Sequence, residues 1–250
     1  MFDLIYRAFV LGLIPGLLTI LGGLFGLVGV RVSTKYLDLG LSFSAGVMLV
    51  ASFTSLLLPS IEYAGFTVTF LGFLVGVALI VLLNKYMPHE HLMKGYEGPV
   101  ELRERFSRVW LMTLAILIHN LPEGLAVGVV SSIGFREGFV IALAIGIQDV
   151  PEGFAVSFPI SMGERKVSKA LIVTILSGFS ETLMAVLAAL IASLTHYLLP
   201  FLLALAGGAM IYVVIREIIP ETYRYGNETY ASIGFIIGFL TMLFLDTMLG

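Results

Sequence analysis

Eight apolar runs, each about the length that spans a lipid bilayer, take up almost all of this 250-residue chain. They fall near 8–30, 40–61, 66–84, 109–131, 138–160, 170–193, 198–219 and 229–248. A helix needs roughly 20 apolar residues to cross the hydrocarbon. Backbone groups there must bond within the segment, so helices are expected at all eight. Only 12% of residues are charged, against about 25% in soluble domains. The chain therefore reads as one all-α integral membrane domain over 1–250, with no space for a soluble catalytic domain. Nothing resembles a nucleic-acid-binding face. Zero cysteines exclude disulfides, zinc ribbons and thiolate chemistry. The first run exceeds the 7–15 residues of a signal-peptide core and follows Asp3 as well as Arg7, so it reads as a retained helix.

The basic residues orient these spans. Arg31, Lys35, Lys85, Lys94, Arg103, Arg105, Arg108, Arg165, Lys166, Lys169, Arg216 and Arg224 fall on one side, and only Arg7 and Arg136 on the other. That bias puts both termini outside and the polar 85–108 linker in the cytoplasm. A miscounted span would scatter the charges over both faces, so the bias also supports eight helices.

Within the fourth and fifth spans one thirteen-residue segment occurs twice, 29 positions apart. The copies are Ala115-Ile-Leu-Ile-His-Asn-Leu-Pro-Glu-Gly-Leu-Ala-Val127 and Ala144-Ile-Gly-Ile-Gln-Asp-Val-Pro-Glu-Gly-Phe-Ala-Val156, identical at eight positions. Further matches link the outer spans. Ala45-Gly46 through Pro59 to Gly65 matches Ala206-Gly207 through Pro220 to Gly226 at an offset of 161, and Gly72-Phe73 with Gly76 matches Gly234-Phe235 with Gly238 at 162. Gly and Pro are common in membrane helices, so chance matching is the bland account of the outer pairs. Partners five spans apart run in opposite directions. The expectation is a 3+2+3 inverted repeat, an architecture that places substrate near the midplane.

His119, Asn120 and Glu123 share one stripe of a helix, and Gln148, Asp149 and Glu152 repeat that stripe on the next span. Pro122 and Pro151 cannot donate to the preceding turn, so a kink with a free carbonyl is expected at each. Glu181 stands at the middle of the sixth span, with Ser177 and Ser180 nearby. Four carboxylates at mid-depth are costly unless compensated. Structural ion pairs fail as an account, because no Lys or Arg lies in the cores of these three spans. Protonation or cation binding remain. Two divalent ions would carry +4 against −4. Imidazole, carboxylate and carboxamide ligands suit Zn²⁺, Fe²⁺ or Mn²⁺, whereas Mg²⁺ needs no His and Cu(I) prefers sulfur.

The motif pair, His-Asn-x-Pro-Glu-Gly followed by Gln-Asp-x-Pro-Glu-Gly, resembles that of the ZIP (Zrt/Irt-like) family of divalent-metal transporters, in its prokaryotic GufA/ZupT-like branch. The resemblance covers the whole chain. It implies eight helices with both ends outside, a homodimer, and a binuclear centre. One metal would lie at His119, Glu123, Gln148 and Glu152, with Met48 an additional ligand. The second would lie at Asn120, Glu123, Asp149, Glu152 and Glu181. Many members have His where this chain has Gln148, which leaves metal preference open among Zn²⁺, Cd²⁺, Fe²⁺ and Mn²⁺. No prosthetic group is implied, only transported metal.

Lesser signals carry plain alternatives. Met48 alone is equally a packing methionine. Glu62 closes the second span outside, as an ion receiver or a solvated charge. His89-Glu90-His91 resembles a short metal trap, with plain solvation the favoured account. Glu217 and Glu221 end the seventh span inside, either taking the ion or pairing with Arg216 and Arg224. Asp246 is ambiguous, and His196 reads as an interfacial loop residue.

The reading is inward transport of Zn²⁺ or a similar ion by alternating access. A membrane di-iron enzyme is one rival, but such sites add Glu-x-x-His pairs, and Ala126 and Ala155 stand at those positions. A zinc protease lacks its His-Glu-x-x-His. A divalent cation channel with the same ligands is the other rival.

Overall fold

A computed structural model describes residues 2–27, 32–91, 95–163, 167–223 and 226–249. Arg31, Lys94, Arg165, Lys166 and Arg224, used above for orientation, lie outside the described residues, as do the side chains of His91, Arg108 and His196. The fold is helical nearly throughout. Helix α1 is Phe2–Leu27 and α2 is Thr34–Ala51, which continues through a π-helical segment, Ser52–Leu57, into α3, Leu58–Tyr86. Then come α4 (Arg108–Ser131), α5 (Phe135–Gly163), α6 (Val167–Leu194) and α7 (Leu199–Val213). A second π-helical segment, Val214–Ile218, leads into the single turn α8 (Ile219–Thr222) and the last helix, α9 (Glu228–Leu249). Both α4 and α5 run unbroken through the motif prolines, Pro122 and Pro151.

Among the described residues, seven helices are long and apolar enough to cross a membrane, and one of them is the 53-residue run Thr34–Tyr86. That run doubles back. Gly65 has φ 75° and ψ 174°, a conformation open to glycine because it lacks a Cβ. The hydroxyls of Ser60 and Thr69 then lie 2.8 Å apart, whereas nine residues of straight helix would separate them by roughly 13 Å. Two antiparallel arms meet at Gly65. Its counterpart Gly226 has φ 73° and separates α8 from α9.

Small residues set the packing, since the lipid offers no hydrophobic drive and close backbone approach supplies dispersion instead. Glycine contacts recur at a constant offset of 162. Gly72 meets Phe201 as Gly234 meets Leu39; Gly76 meets Leu205 as Gly238 meets Phe43; Gly208 meets Phe73 as Gly46 meets Phe235. In the packing Gly46 thus corresponds to Gly208, one residue beyond the Gly207 of the sequence match. The π-helical segments account for the difference: six residues in Ser52–Leu57 stand against five in Val214–Ile218, and past them the 161 offset holds at Pro59/Pro220 and Gly65/Gly226. A π-helical turn accommodates one extra residue in this way.

The same rule extends to α1 and α6. Gly16 and Gly178, 162 apart, touch each other directly. Gly153 on α5 packs on the backbone of Thr19, while Gly124 on α4 packs on that of Glu181. The result is one group formed by α1, α4, α5 and α6, flanked by the pairs α2 with α9 and α3 with α7. Between α3 and α4 the linker forms a hairpin of β1 (His89–His91) and β2 (Gly95–Glu97), with His89 opposite Glu97, and β1 packs on α4.

Candidate metal centre

On α4 and α5 the spacing brings the acidic side chains of the two motifs together between these helices. Oxygen atoms of Glu123, Asp149 and Glu152 lie within 4.8 Å of one another. Three oxygens held by one ion at 2.0–2.2 Å in tetrahedral geometry are about 3.3–3.6 Å apart, so the three would draw together by up to about 1.4 Å to share one ion. Glu181 joins from α6 and is, with Glu123 and Glu152, a charged neighbour of Asp149. All four carboxylates come together across three helices.

The donors around them are few. Gln148 Nε2 donates to Glu123 Oε1 at 2.7 Å. Asn120 Nδ2 donates to Glu181 Oε1 at 2.5 Å and to Ser177 Oγ at 2.8 Å. Thr19 Oγ1 donates to the same Glu181 oxygen at 2.8 Å, and Ser44 Oγ steadies the Gln148 carbonyl at 2.9 Å. Glu123 Oε2, both Asp149 oxygens, Glu152 Oε1, Glu181 Oε2 and Gln148 Oε1 are buried and receive no hydrogen bond from the described residues. Buried oxygens without donors are costly, and a cation is the partner their chemistry suits.

A cavity of about 120 Å³ opens onto this cluster and is lined by His119, Asn120, Asp149, Glu152, Glu181 and, towards the linker side, Glu221 and Glu90. That is room for several waters, each of which needs about 10–15 Å³. Among its described lining residues there is no Lys or Arg.

The other expected residues sit as follows. His119 Nδ1 faces Glu217 Oε2 at 3.2 Å, and Asn84 Nδ2 donates to Glu217 Oε1 at 2.7 Å. Glu217 is therefore a buried neighbour of His119, deeper than a helix-end charge. Met48 is fully buried in the apolar core with Leu125, Ala126 and Met210, outside the cavity lining. Glu62 is exposed. Asp246 accepts from Ser55 Oγ at 3.1 Å. Plain solvation of His89 is corrected: the hairpin folds against α4 and leaves the imidazole fully buried, with Nδ1 2.8 Å from the Met87 carbonyl. Arg216 reaches Glu97 of the hairpin at 3.2 Å.

Sequence reasoning missed Thr19, Ser44 and Asn84. Asn84 is a lone carboxamide at the end of an apolar run, a visible cue. Thr19 is signalled only by its place 162 residues before Glu181, which becomes meaningful once α1 and α6 are known to cross.

Comparison with known proteins identifies the family. The family described as ZIP zinc transporter matches residues 84–246. "Zinc transporter ZIPB" of Bordetella bronchiseptica is 42% identical over 93% of this chain and 78% of its own length. "Zinc transporter GufA" of Myxococcus xanthus is 41% identical over 72% of this chain and 70% of its own. A "Zinc transporter ZupT" of Stenotrophomonas maltophilia is 33% identical over 95% and 94%. These relatives are named as transporters and not as enzymes. The chain, a multi-pass integral membrane protein by its long apolar helices, belongs to the ZIP family.

Proposed function

We propose that the protein carries divalent transition-metal ions into the cytoplasm, Zn²⁺ foremost with Cd²⁺, Fe²⁺ and Mn²⁺ as further substrates, through the α4–α5–α6 centre. The single observation that carries this is the meeting of Glu123, Asp149, Glu152 and Glu181 around oxygens without donors, beside a cavity whose described lining has no Lys or Arg. Doubly charged ions neutralise such a cluster, and carboxamide ligands hold them loosely enough for release. In the binuclear reading, His119, Glu123, Gln148 and Glu152 take one ion, and Asn120, Glu123, Asp149, Glu152 and Glu181 take the other. Glu217 and Glu221 lie on the release side. Naming of the relatives as zinc transporters supports zinc as the first substrate.

The spans cross eight times, with both termini outside, in a 3+2+3 inverted repeat. Support comes from the one-sided Lys and Arg, from the reversal at Gly65, and from packing that repeats at offsets of 162 and 29. Two-fold related halves favour alternating access. The group α1, α4, α5 and α6 holds the carboxylates, and it moves against the pairs α2 with α9 and α3 with α7. The protein acts as a homodimer.

Uptake into proteoliposomes over a series of Zn²⁺, Cd²⁺, Fe²⁺, Mn²⁺ and Mg²⁺ concentrations tests the whole reading. Saturable Zn²⁺ flux that disappears in Glu152→Ala is expected. Equal flux in parent and variant would remove the centre from the mechanism, and flux that rises without saturation would favour the channel.

A further inference from the structure

Away from the metal centre, α4 and α6 part slightly where both helices begin. The groove between them is floored by Val109 and Val173, walled by Trp110, Ile172 and Leu176, and has Lys169 at its mouth. Its floor is buried, whereas Trp110 and Ile172 are each 54% exposed. The segments leading into the two helices, 103–108 and 164–169, carry six basic residues against Glu104 and Glu164. An apolar slot with Lys169 at its mouth is complementary to one class of membrane molecule.

Internal symmetry supplies a control. Offsets of 29 for α4 and 162 for α6 map the groove onto α5 and α1: Val109 onto Gly138, Trp110 onto Phe139, Lys169 onto Arg7 and Val173 onto Leu11. That second groove is packed shut. Leu11 is 1% exposed, and its Cδ1 lies 2.7 Å from where a Cβ on Gly138 would sit. Arg7 is neutralised by Asp3 at 3.1 Å. Lys169 has no such salt bridge among the described residues. One fold thus closes the groove at the end poor in basic residues and keeps it open at the basic end.

We propose that the α4–α6 groove binds one anionic phospholipid, with an acyl chain along Trp110, Ile172 and Leu176 and the phosphate at Lys169. Basic pockets between membrane helices on the cytoplasmic side favour such headgroups. Trp110 is the only tryptophan in the chain, so its fluorescence reports the groove directly.

The test reconstitutes the full chain in phosphatidylcholine bilayers containing a small fraction of brominated phosphatidylglycerol or brominated phosphatidylcholine. Quenching of Trp110 should show the anionic lipid preferred about fivefold at equal mole fraction, the scale of one basic residue near a membrane surface. Lys169→Gln should abolish the preference, and Lys169→Arg, which also serves as the folded reference, should keep it. Equal quenching by both lipids would mean bulk lipid only and overturn the proposal. So would a preference that survives Lys169→Gln. Quenching by neither lipid would mean the groove is covered by a second copy. Competition by inorganic phosphate would mean a soluble anion is the ligand, and either result discards the lipid.

Discussion

The two copies of one motif, on α4 and α5, are built alike and used differently. On α4 the His119 side chain is 18% exposed and faces Glu217, while its α5 counterpart Gln148 is fully buried and donates to Glu123. Asn120 donates to Ser177 and Glu181, whereas its counterpart Asp149 meets other carboxylates and receives no hydrogen bond from the described residues. What the copies share behaves the same way in both. Gly124 and Gly153 each let a neighbouring helix approach to backbone contact, and Glu123 and Glu152 both point into the cluster. The comparison teaches that Pro-Glu-Gly builds the symmetric frame, while the pair of residues before the proline distinguishes the two faces.

The largest effect should come from the shared carboxylates. If both bridge, Glu123→Ala and Glu152→Ala should each reduce zinc uptake more than about 100-fold, beyond the 10–100-fold typical of changes one step from a metal. Radiotracer flux in proteoliposomes measures this. A clear inequality between the two variants would show that only one copy supplies the bridge. The residues that differ should matter less. Gln148→His replaces a carboxamide with imidazole and should tighten zinc binding roughly tenfold, read by calorimetry on the purified protein. His119→Gln should weaken it on a similar scale. No change in either would place these side chains outside the ligand set.

A packing difference gives the smallest and most local test. Gly128 and Ser157 are counterparts 29 apart, and they meet Ala185 and Gly23, counterparts 162 apart. A Cβ at position 128 would run into the Ala185 backbone. Gly128→Ser should therefore cost about 1–3 kcal/mol of stability through overpacking. Ser157→Gly gives up a hydrogen bond of 2.8 Å to the Gly23 carbonyl and should cost about 1 kcal/mol. Thermal unfolding in detergent compares them. Equal losses would mean that the two-fold relation is looser here than at Gly16 and Gly178.

Much of the candidate site was legible because membrane burial makes polar residues conspicuous. Glu181 stood out as the lone acid in an apolar run, and the doublet placed six side chains on two stripes before any helix was seen. Glu217 was visible as a residue but not as a neighbour of His119, because its depth depends on how α7 packs on α4. His89 was misread for a similar reason. A polar linker looks solvated in sequence, and only the hairpin's docking on α4 buries the imidazole.

Class, helix positions and the identity of the acidic cluster were determined by the sequence alone, because each follows from solvation and from periodicities within a single helix. Tertiary structure decided which helices cross, how an extra residue is taken up in the π-helical turn at Ser52–Leu57, and which groove stays open. Those outcomes turn on contacts between residues far apart in the chain, such as Gly124 with Glu181 and Gly16 with Gly178. A difference as small as Leu11 against Val173 decides such contacts through packing, and no local pattern records it.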